Sequence, residues 1–243
     1  MTNTEGRRIV IIGGTSGIGR ALANMYLNEN PANIIGITGR RTEALEEMYS
    51  QNPNRVAYRT MDVQREDCQQ ILGDLLSEMG GADIIIYSAG VGTQNIGPEL
   101  HAETEMPAVH TNVVGFTRII MFAYNYFRAS GGGQFVTIAS MAGLRPLRHS
   151  PAYSATKRYE IHYTSCLAQL AHKNGEPIKF TTIMPGFIRT DLLKHKYPIV
   201  ISLEKGSRLI YKAINKRKRR AIIPGRWRII AFVWRLIPFW EKF

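Results

Sequence analysis

Short runs of apolar residues alternate with longer amphipathic segments along most of the chain. The first run, residues 8–12, reads RIVII. A continuously apolar run of this length is typical of a strand buried on both faces of a parallel sheet. Five similar runs predict further strands at residues 33–38, 56–61, 83–87, 135–139 and 178–183.

The segments between these runs have the apolar spacing of helices. They predict helices at residues 16–27, 42–50, 66–79, 104–129 and 153–173. Strands that alternate with helices imply right-handed crossovers and a parallel sheet. We therefore predict an α/β fold, a single-domain Rossmann fold whose doubly wound parallel sheet is flanked by helices.

A glycine-rich turn joins the first strand to the first helix. Gly13 permits a tight turn, Gly17 lets the backbone approach a pyrophosphate, and Gly19 lets the helix lie close to the strand. The helix N-terminus offers N–H groups and the positive end of its dipole to phosphates. A dinucleotide is therefore predicted to bind here, and a glycine-rich turn without a ligand is the alternative. The predicted binding residues are Gly13, Thr15, Ser16, Gly17, Ile18 and Gly19.

The second strand ends at Gly39, which is followed by Arg40 and Arg41. A carboxylate at this distance from the glycine turn would accept the ribose 2′-hydroxyl and select NAD. Glycine instead leaves room for a 2′-phosphate, and guanidinium groups are multidentate phosphate donors. The sequence therefore favours NADP(H), bound by Arg40 and Arg41. In the alternative interpretation the two arginines only face solvent.

Ordered motifs over residues 7–191 resemble the short-chain dehydrogenase/reductase superfamily. Each motif is weak by itself, whereas the ordered set with its Y-x-x-x-K pair is highly specific. The motifs are the turn from Gly13 to Gly19, Asp62-Val63, Ser88-Ala89-Gly90, Asn112, Ser140, Tyr153-Ser154-Ala155-Thr156-Lys157 and Pro185-Gly186-Phe187-Ile188-Arg189-Thr190.

The resemblance implies further roles for these residues. Asp62 and Val63 border the adenine ring, and Ser88, Ala89 and Gly90 line the cofactor cleft. The nicotinamide is flanked by Pro185, Gly186, Ile188 and Thr190. Lys157 holds the ribose hydroxyls, and Asn112 steadies a water that links Lys157 to solvent. The family commonly forms dimers and tetramers, so a homodimer or homotetramer is expected.

The sequence departs from the family pattern in two places. Ser88 replaces the asparagine usual at the start of the N-A-G turn. The family's usual final strand and glycine-rich ending are expected to be missing, replaced by a basic, aromatic tail. Residues 1–204 are thus predicted to form the dinucleotide-binding and catalytic domain, with residues 205–243 as a C-terminal extension of it.

Tyr153 and Lys157 lie four positions apart and therefore share a helix face. A free tyrosine is a poor base near neutrality, and a nearby ammonium favours its phenolate form. The pair is suited to exchange a proton with a substrate oxygen that Ser140 also binds. We predict an NADP(H)-dependent oxidoreductase that interconverts a ketone or aldehyde with an alcohol. A non-catalytic dinucleotide-binding or redox-sensing protein is the alternative.

Residues 141–152 separate Ser140 from Tyr153 and are expected to line the substrate pocket. Arg145, Arg148 and His149 in this segment either bind an acidic substrate group or face solvent, and solvent is favoured.

Positive charge is concentrated at the end of the chain. Residues 205–243 contain twelve of the 31 Lys and Arg residues and one of the 19 acidic residues, a net charge of +11, which leaves +1 for the first 204 residues. Five consecutive positions, Lys216 to Arg220, are basic, and all three tryptophans, Trp227, Trp234 and Trp240, follow them.

Such a segment is typical of a helix that lies in the interface of an anionic membrane. Residues 216–243 are predicted to make this peripheral contact, which suits an apolar or lipid-like substrate. A lid over the cleft and a subunit contact are the alternatives, and no specific nucleic-acid binding is expected.

Cysteine usage indicates the cellular environment. Cys68 and Cys166 lie far apart without a CxxC pattern, which argues against a disulfide framework or a metal site. The N-terminus has no secretory pattern, so we expect a cytoplasmic protein that can associate with a membrane and has no bound metal.

Overall fold

The computed structural model describes residues 6–92, 94–95, 97–190 and 200–236. Its strands are β1 (Arg8–Ile12), β2 (Ile34–Gly39), β3 (Val56–Thr60), β4 (Ile84–Tyr87), β5 (Gly133–Ile138), β6 (Ile178–Pro185) and β7 (Arg220–Ile223). Its helices are α1 (Gly17–Glu29), α2 (Thr42–Gln51), α3 (Cys68–Glu78), α4 (Ala102–Val109), α5 (Phe116–Ala129), α6 (Pro151–Lys173), α7 (Leu203–Asn215) and α8 (Trp227–Leu236).

The strands form one parallel sheet in the order β3-β2-β1-β4-β5-β6-β7. The predicted doubly wound Rossmann sheet is therefore confirmed. The strands after β1 are added on one side of it through β3, and then on its other side from β4 onwards. The switch point therefore lies between β1 and β4. In open sheets of this kind, ligands bind beyond the carboxyl ends of the strands at such a switch point.

Alternate residues of the buried strands pack on opposite faces of the sheet. Ile9 and Ile11 of β1 contact the layer formed by α1, α2 and α7, whereas Val10 and Ile12 contact the layer formed by α3, α5 and α6. All four side chains are fully buried. The apolar run in β1 therefore reflects a sheet covered on both faces.

The predicted helix at 104–129 is divided in three. α4 contains Pro107 and leads into a π turn, His110–Gly115, which is followed by α5. Gly115 in this turn lies so close to Val63 that a Cβ there would overlap the valine side chain. The interruption positions Asn112, which is fully buried, next to the loop after β4.

A further strand, β7, completes the sheet after α7, so the prediction that the final strand is missing was wrong. It pairs with β6 in parallel register, with Arg220 opposite Thr182 and Ile223 opposite Pro185. Only three apolar residues mark it in the sequence, directly after five basic ones, so its hydrophobic signal is weak. α7 also belongs to the core, because Ile210 and Ile214 are fully buried in the layer with α1.

Candidate active site

A cleft of about 1660 Å³ opens at the carboxyl ends of the strands. Typical small-molecule pockets measure about 300–1,000 Å³, so this cleft has room for a dinucleotide together with a substrate. The sequence-predicted residues line it with two exceptions, Gly19 and Asn112, which lie behind its wall. Those in the wall are Gly13, Thr15, Ser16, Gly17, Ile18, Arg40, Arg41, Asp62, Val63, Ser88, Ala89, Gly90, Ser140, Tyr153, Lys157, Pro185, Gly186, Ile188 and Thr190.

The glycine turn is packed too closely for side chains. Gly13 has φ 87°, and a Cβ on it would lie 2.6 Å from the backbone nitrogen of Ala89. A Cβ on Gly19 would overlap the carbonyl oxygen of Gly13. Gly17 has φ 53°, which favours glycine, although a Cβ there would make only an ordinary contact, 3.8 Å from Thr190 Cγ2. These glycines bring the start of α1 directly to the cleft.

The N-terminus of α1 faces the cleft with Ser16 as its N-cap, and the Ser16 side chain makes no capping hydrogen bond. The first N–H groups of a helix have no intrahelical acceptor, and they carry the positive end of the dipole. A backbone cradle of this kind fits the pyrophosphate of a dinucleotide.

The arginines after β2 lie beside this cradle. Arg40 and Arg41 are exposed on the cleft wall, and Arg41 donates a hydrogen bond from Nη2 to Thr15 Oγ1 at 3.1 Å. A Cβ on Gly39 would lie 2.6 Å from Thr15 Cγ2. Two guanidinium groups therefore border the phosphate turn, in a geometry suited to an additional phosphate.

Tyr153 and Lys157 project from the first turns of α6 into the cleft. Lys157 Nζ lies 5.9 Å from the centre of the Tyr153 ring. Lys157 is only 4% exposed, while Tyr153 is partly open to the cleft. Ser140 follows β5 and accepts a hydrogen bond from the Ala142 N–H at 3.1 Å. The cleft thus contains a hydroxyl, a phenol and an ammonium group on two adjoining elements.

Asn112 acts behind the wall through its carboxamide. Its Oδ1 accepts a hydrogen bond from the Val91 N–H and its Nδ2 donates to the Val91 carbonyl, both at 2.9 Å. Nδ2 also lies 3.1 Å from Thr156 Oγ1 on α6. Asn112 therefore holds the loop after β4 against α6. Its role in a proton relay stays a prediction from the family resemblance.

Ser154 anchors the segment that follows Ser140. Its hydroxyl donates to the Ala142 carbonyl at 2.6 Å, lies 3.1 Å from the Arg145 carbonyl, and accepts from the Leu147 N–H. This anchoring draws Arg145 into the wall, where it is 7% exposed, so the favoured expectation of a solvent-facing Arg145 was wrong. Arg148 is exposed, as expected, and donates to His149.

Two residues near the cleft were not among the predicted site residues, although the lid alternative had placed the tail that contains Trp227 over the cleft. Trp227, the first residue of α8, lines the cleft, packs on Gly186 and lies edge-on to Phe187 with ring centres 5.6 Å apart. Because β7 was not predicted, the position of Trp227 was not predicted either. Trp227 follows the end of β7, which lies at the edge of the cleft. Trp234 has no described side chain, and Trp240 lies outside the described residues.

Glu160 is the second such residue, and it contacts Lys157 from the interior. Its carboxylate oxygens lie 2.8 and 2.9 Å from Lys157 Nζ. Burial raises the pKa of the Glu160 carboxyl to about 7, although the Lys157 ammonium opposes this shift. The signal available in sequence was an acidic residue one turn after Lys157.

Comparison with known proteins agrees with this geometry. The family model for short chain dehydrogenases matches residues 7–198. A mouse 3-oxoacyl-[acyl-carrier-protein] reductase is 27% identical over 187 residues, which cover 76% of this chain and 77% of that protein.

Solved structures share the fold. L-sorbose reductase from Gluconobacter frateurii, solved with NADPH and L-sorbose, has a TM-score of 0.77 at 24% identity and covers 92% of this chain and 97% of its own. A Burkholderia phymatum short-chain dehydrogenase/reductase solved with NAD has a TM-score of 0.83 at 18% identity, covering 96% and 94%.

The fold and the cleft define a Rossmann-type oxidoreductase. More particularly, the chain belongs to the short-chain dehydrogenase/reductase family.

Proposed function

We propose that this protein is an NADP(H)-dependent oxidoreductase that interconverts a ketone or aldehyde with the corresponding alcohol. The observation that carries the proposal is the convergence of Ser140, Tyr153 and Lys157 on the same cleft as the glycine turn. A protein that only binds a dinucleotide has no need of a phenol and an ammonium beside each other at the nicotinamide end.

Each of these side chains has a defined chemical role. The Tyr153 hydroxyl gives a proton to the substrate oxygen during reduction, or accepts one during oxidation. Lys157 favours the phenolate of Tyr153, and Ser140 hydrogen-bonds the substrate oxygen and fixes its position. The nicotinamide, when bound, supplies or accepts the hydride.

The proposed preference for NADP(H) is supported by the two arginines and by the position of Gly39. The charged groups on the cleft wall are mostly basic and include Arg40 and Arg41. Among the described residues that line the wall, Asp62 is the acidic one. The adenosine end of the cleft therefore suits a phosphate more than a free 2′-hydroxyl.

The proposed apolar or lipid-like substrate is supported by the other end of the cleft. Val91, Leu144, Leu147, Phe187 and Trp227 contribute apolar surface there. The mouse relative is named for reduction of a 3-oxoacyl group, which also has an acyl chain. We therefore expect a carbonyl on an extended apolar body to be the preferred substrate.

The test of the catalytic assignment is Tyr153→Phe, which removes the transferable proton and little volume. NADPH absorbance is followed against a panel of apolar ketones and 3-oxoacyl thioesters. We expect turnover to fall by roughly 10²–10⁴-fold while the NADPH dissociation constant stays within about twofold. Wild-type turnover in Tyr153→Phe would contradict the assignment. NADPH binding by the wild type without turnover of any carbonyl would favour the non-catalytic alternative.

The membrane contact proposed from the sequence is supported by α8. Ile229 and Phe232 on this helix are 71% and 63% exposed, and Arg226 and Arg228 beside them are also exposed. Trp227 is only 4% exposed and packs inward. Among the described side chains of α8, Ile229 and Phe232, rather than Trp227, are therefore the apolar groups available to lipid. None of the described helices is long and apolar enough to cross a bilayer.

The basic run from Lys216 to Arg220 lies at the other end of β7. It connects α7 to the start of the strand, whereas α8 follows the end of the strand. A four-residue strand extends about 13 Å, so most of the run is separated from α8 by the length of β7. The contact proposed here therefore uses α8 and its own arginines.

Co-sedimentation with anionic and neutral vesicles tests this contact. Ile229→Ser/Phe232→Ser and Arg226→Gln/Arg228→Gln should each weaken binding to anionic vesicles, because they remove apolar burial or two charges. Lys216→Gln/Lys218→Gln is the matched control, since it removes the same charge from the far end of β7. A larger loss in this control, or no binding of the wild type at low salt, would exclude the α8 surface.

A homodimer or homotetramer is also proposed. Met106, Val114 and Met121 are apolar side chains left 42%, 39% and 47% exposed along α4, the π turn and α5. A second copy packed on this surface would cover them. Sedimentation velocity should give a particle larger than one chain, and Met121→Asp should reduce it.

A further inference from the structure

The Lys157 ammonium has an acidic partner on the side facing the core. Both carboxylate oxygens of Glu160 lie within hydrogen-bond distance of Nζ, and the Ile138 carbonyl on β5 lies 3.3 Å from the same nitrogen. Glu160 is fully buried. A salt bridge between such groups is weakly screened by solvent, so the carboxylate acts strongly on the lysine.

The surroundings of Glu160 contain little other charge. Lys157 is the charged group that acts on its carboxyl. The negative charge of Glu160 raises the pKa of Tyr87 on β4, beyond the larger effect of burial. Cys68 of α3 and Asp62 after β3 raise the pKa of Tyr87 further. Tyr153 lies on the far side of Lys157, towards the cleft.

We propose that Glu160 is a positioning residue that binds the Lys157 ammonium from the core side and sets how much of its charge acts on Tyr153. The proposal rests on the proposed role of Tyr153 as acid and base. Glu160 touches neither the cleft nor the reacting atoms. It acts through Lys157.

Two consequences follow from this arrangement. With Glu160 ionised, Nζ is held between two carboxylate oxygens, and its charge is partly neutralised. With Glu160 protonated, the full ammonium charge acts on Tyr153 and favours its phenolate. The contact with Lys157 and the raised pKa of the Glu160 carboxyl, about 7, make both states accessible near neutrality.

The experiment measures ionisation of Tyr153 without turnover. Tyrosinate absorbance is titrated in the full chain and in Tyr153→Phe, and the difference isolates Tyr153 from the other ten of the 11 tyrosines. The same pair of titrations is made in the Glu160→Gln background. Glu160→Gln should lower the Tyr153 midpoint by about one pH unit, because the lysine charge is no longer offset.

Two further variants sharpen the comparison. Glu160→Asp keeps the negative charge but moves it away from Lys157 by the length of one methylene group. It should therefore lower the Tyr153 midpoint by less than Glu160→Gln does. Glu204→Gln removes the carboxylate of an exposed ion pair with Arg208 and should leave the midpoint unchanged. If Glu160→Gln does not fold, the shift of the Tyr153 midpoint in Glu160→Asp alone tests the proposal.

An unchanged Tyr153 midpoint in the folded Glu160 variants would overturn the proposal. That failure is distinct from failure of the proposed function, which is judged by turnover of Tyr153→Phe. A Glu160 variant with lower activity but an unshifted midpoint would assign Glu160 a purely structural role and would also overturn the proposal.

Discussion

Arg40 follows Gly39, which ends β2 at the position where a carboxylate would select NAD(H). Arg40→Leu should weaken NADPH binding relative to NADH by roughly tenfold to a hundredfold, because a charged hydrogen bond contributes about 1.5–3 kcal/mol. Dissociation constants for both cofactors, measured by fluorescence, give the ratio. Arg41→Leu separates the second arginine, which also binds Thr15.

Equal affinity of the wild type for NADPH and NADH would contradict this selection. Replacing Gly39 by Asp is a less direct test than Arg40→Leu. Any Cβ at Gly39 must displace the Thr15 side chain, so that variant changes the phosphate turn as well as the charge.

Glu160 also predicts how stability depends on pH. Its carboxyl has a folded pKa of about 7, raised above the usual 4.5 by burial. A folded state that binds a proton more tightly than the unfolded state loses stability as pH rises between these values. The wild type should therefore lose about 3 kcal/mol relative to Glu160→Gln from below pH 4.5 to above pH 7.

Urea unfolding of the two proteins across this pH range measures the difference. The opposite sign would be a wild type whose free energy of unfolding increases relative to that of Glu160→Gln as pH rises. It would mean that the attraction of Lys157 exceeds the cost of burying the carboxylate.

At the scale of elements, the start of α1 is positioned by contact between glycines. Gly19→Ala should cost about 1–3 kcal/mol of stability and weaken NADPH binding, because the new methyl group overlaps the Gly13 carbonyl and displaces the helix from the phosphate turn. Thermal unfolding and NADPH titration are the measurements.

Gly73 on α3 offers a matched control. A Cβ there would lie 3.6 Å from the Phe122 ring, an ordinary contact, so Gly73→Ala should be neutral or stabilising. Equal effects of the two substitutions would show that the result reflects helix propensity and not the packing of the turn.

For the whole molecule, residues 205–243 include β7, a strand of the central sheet. A chain ending at Gly225 keeps β7, and a chain ending at Arg219 loses the edge strand that pairs with β6. The first should fold and bind NADPH with reduced stability, since the buried Trp227 is removed. The second should fail to fold cooperatively. Circular dichroism melts of both chains decide this, and comparable melts would show that β7 is dispensable.

The sequence by itself determined the fold class, the order of the strands through β6 and most of the residues that line the cleft. The reason is local. The apolar runs, the glycine turn and the Y-x-x-x-K spacing each fix backbone conformation or a shared helix face within a few residues. The ordered motifs then identify the family.

Only the tertiary structure decided the features that depend on distant packing. β7 is a strand because β6 offers it an edge, which three apolar residues after a basic run do not indicate. Trp227 lies in the cleft wall because β7, which precedes it, ends at the edge of the cleft. Glu160 becomes the partner of Lys157 because the turn of α6 that carries both is buried against the sheet. In solvent the same i, i+3 pair would be an ordinary surface contact worth little.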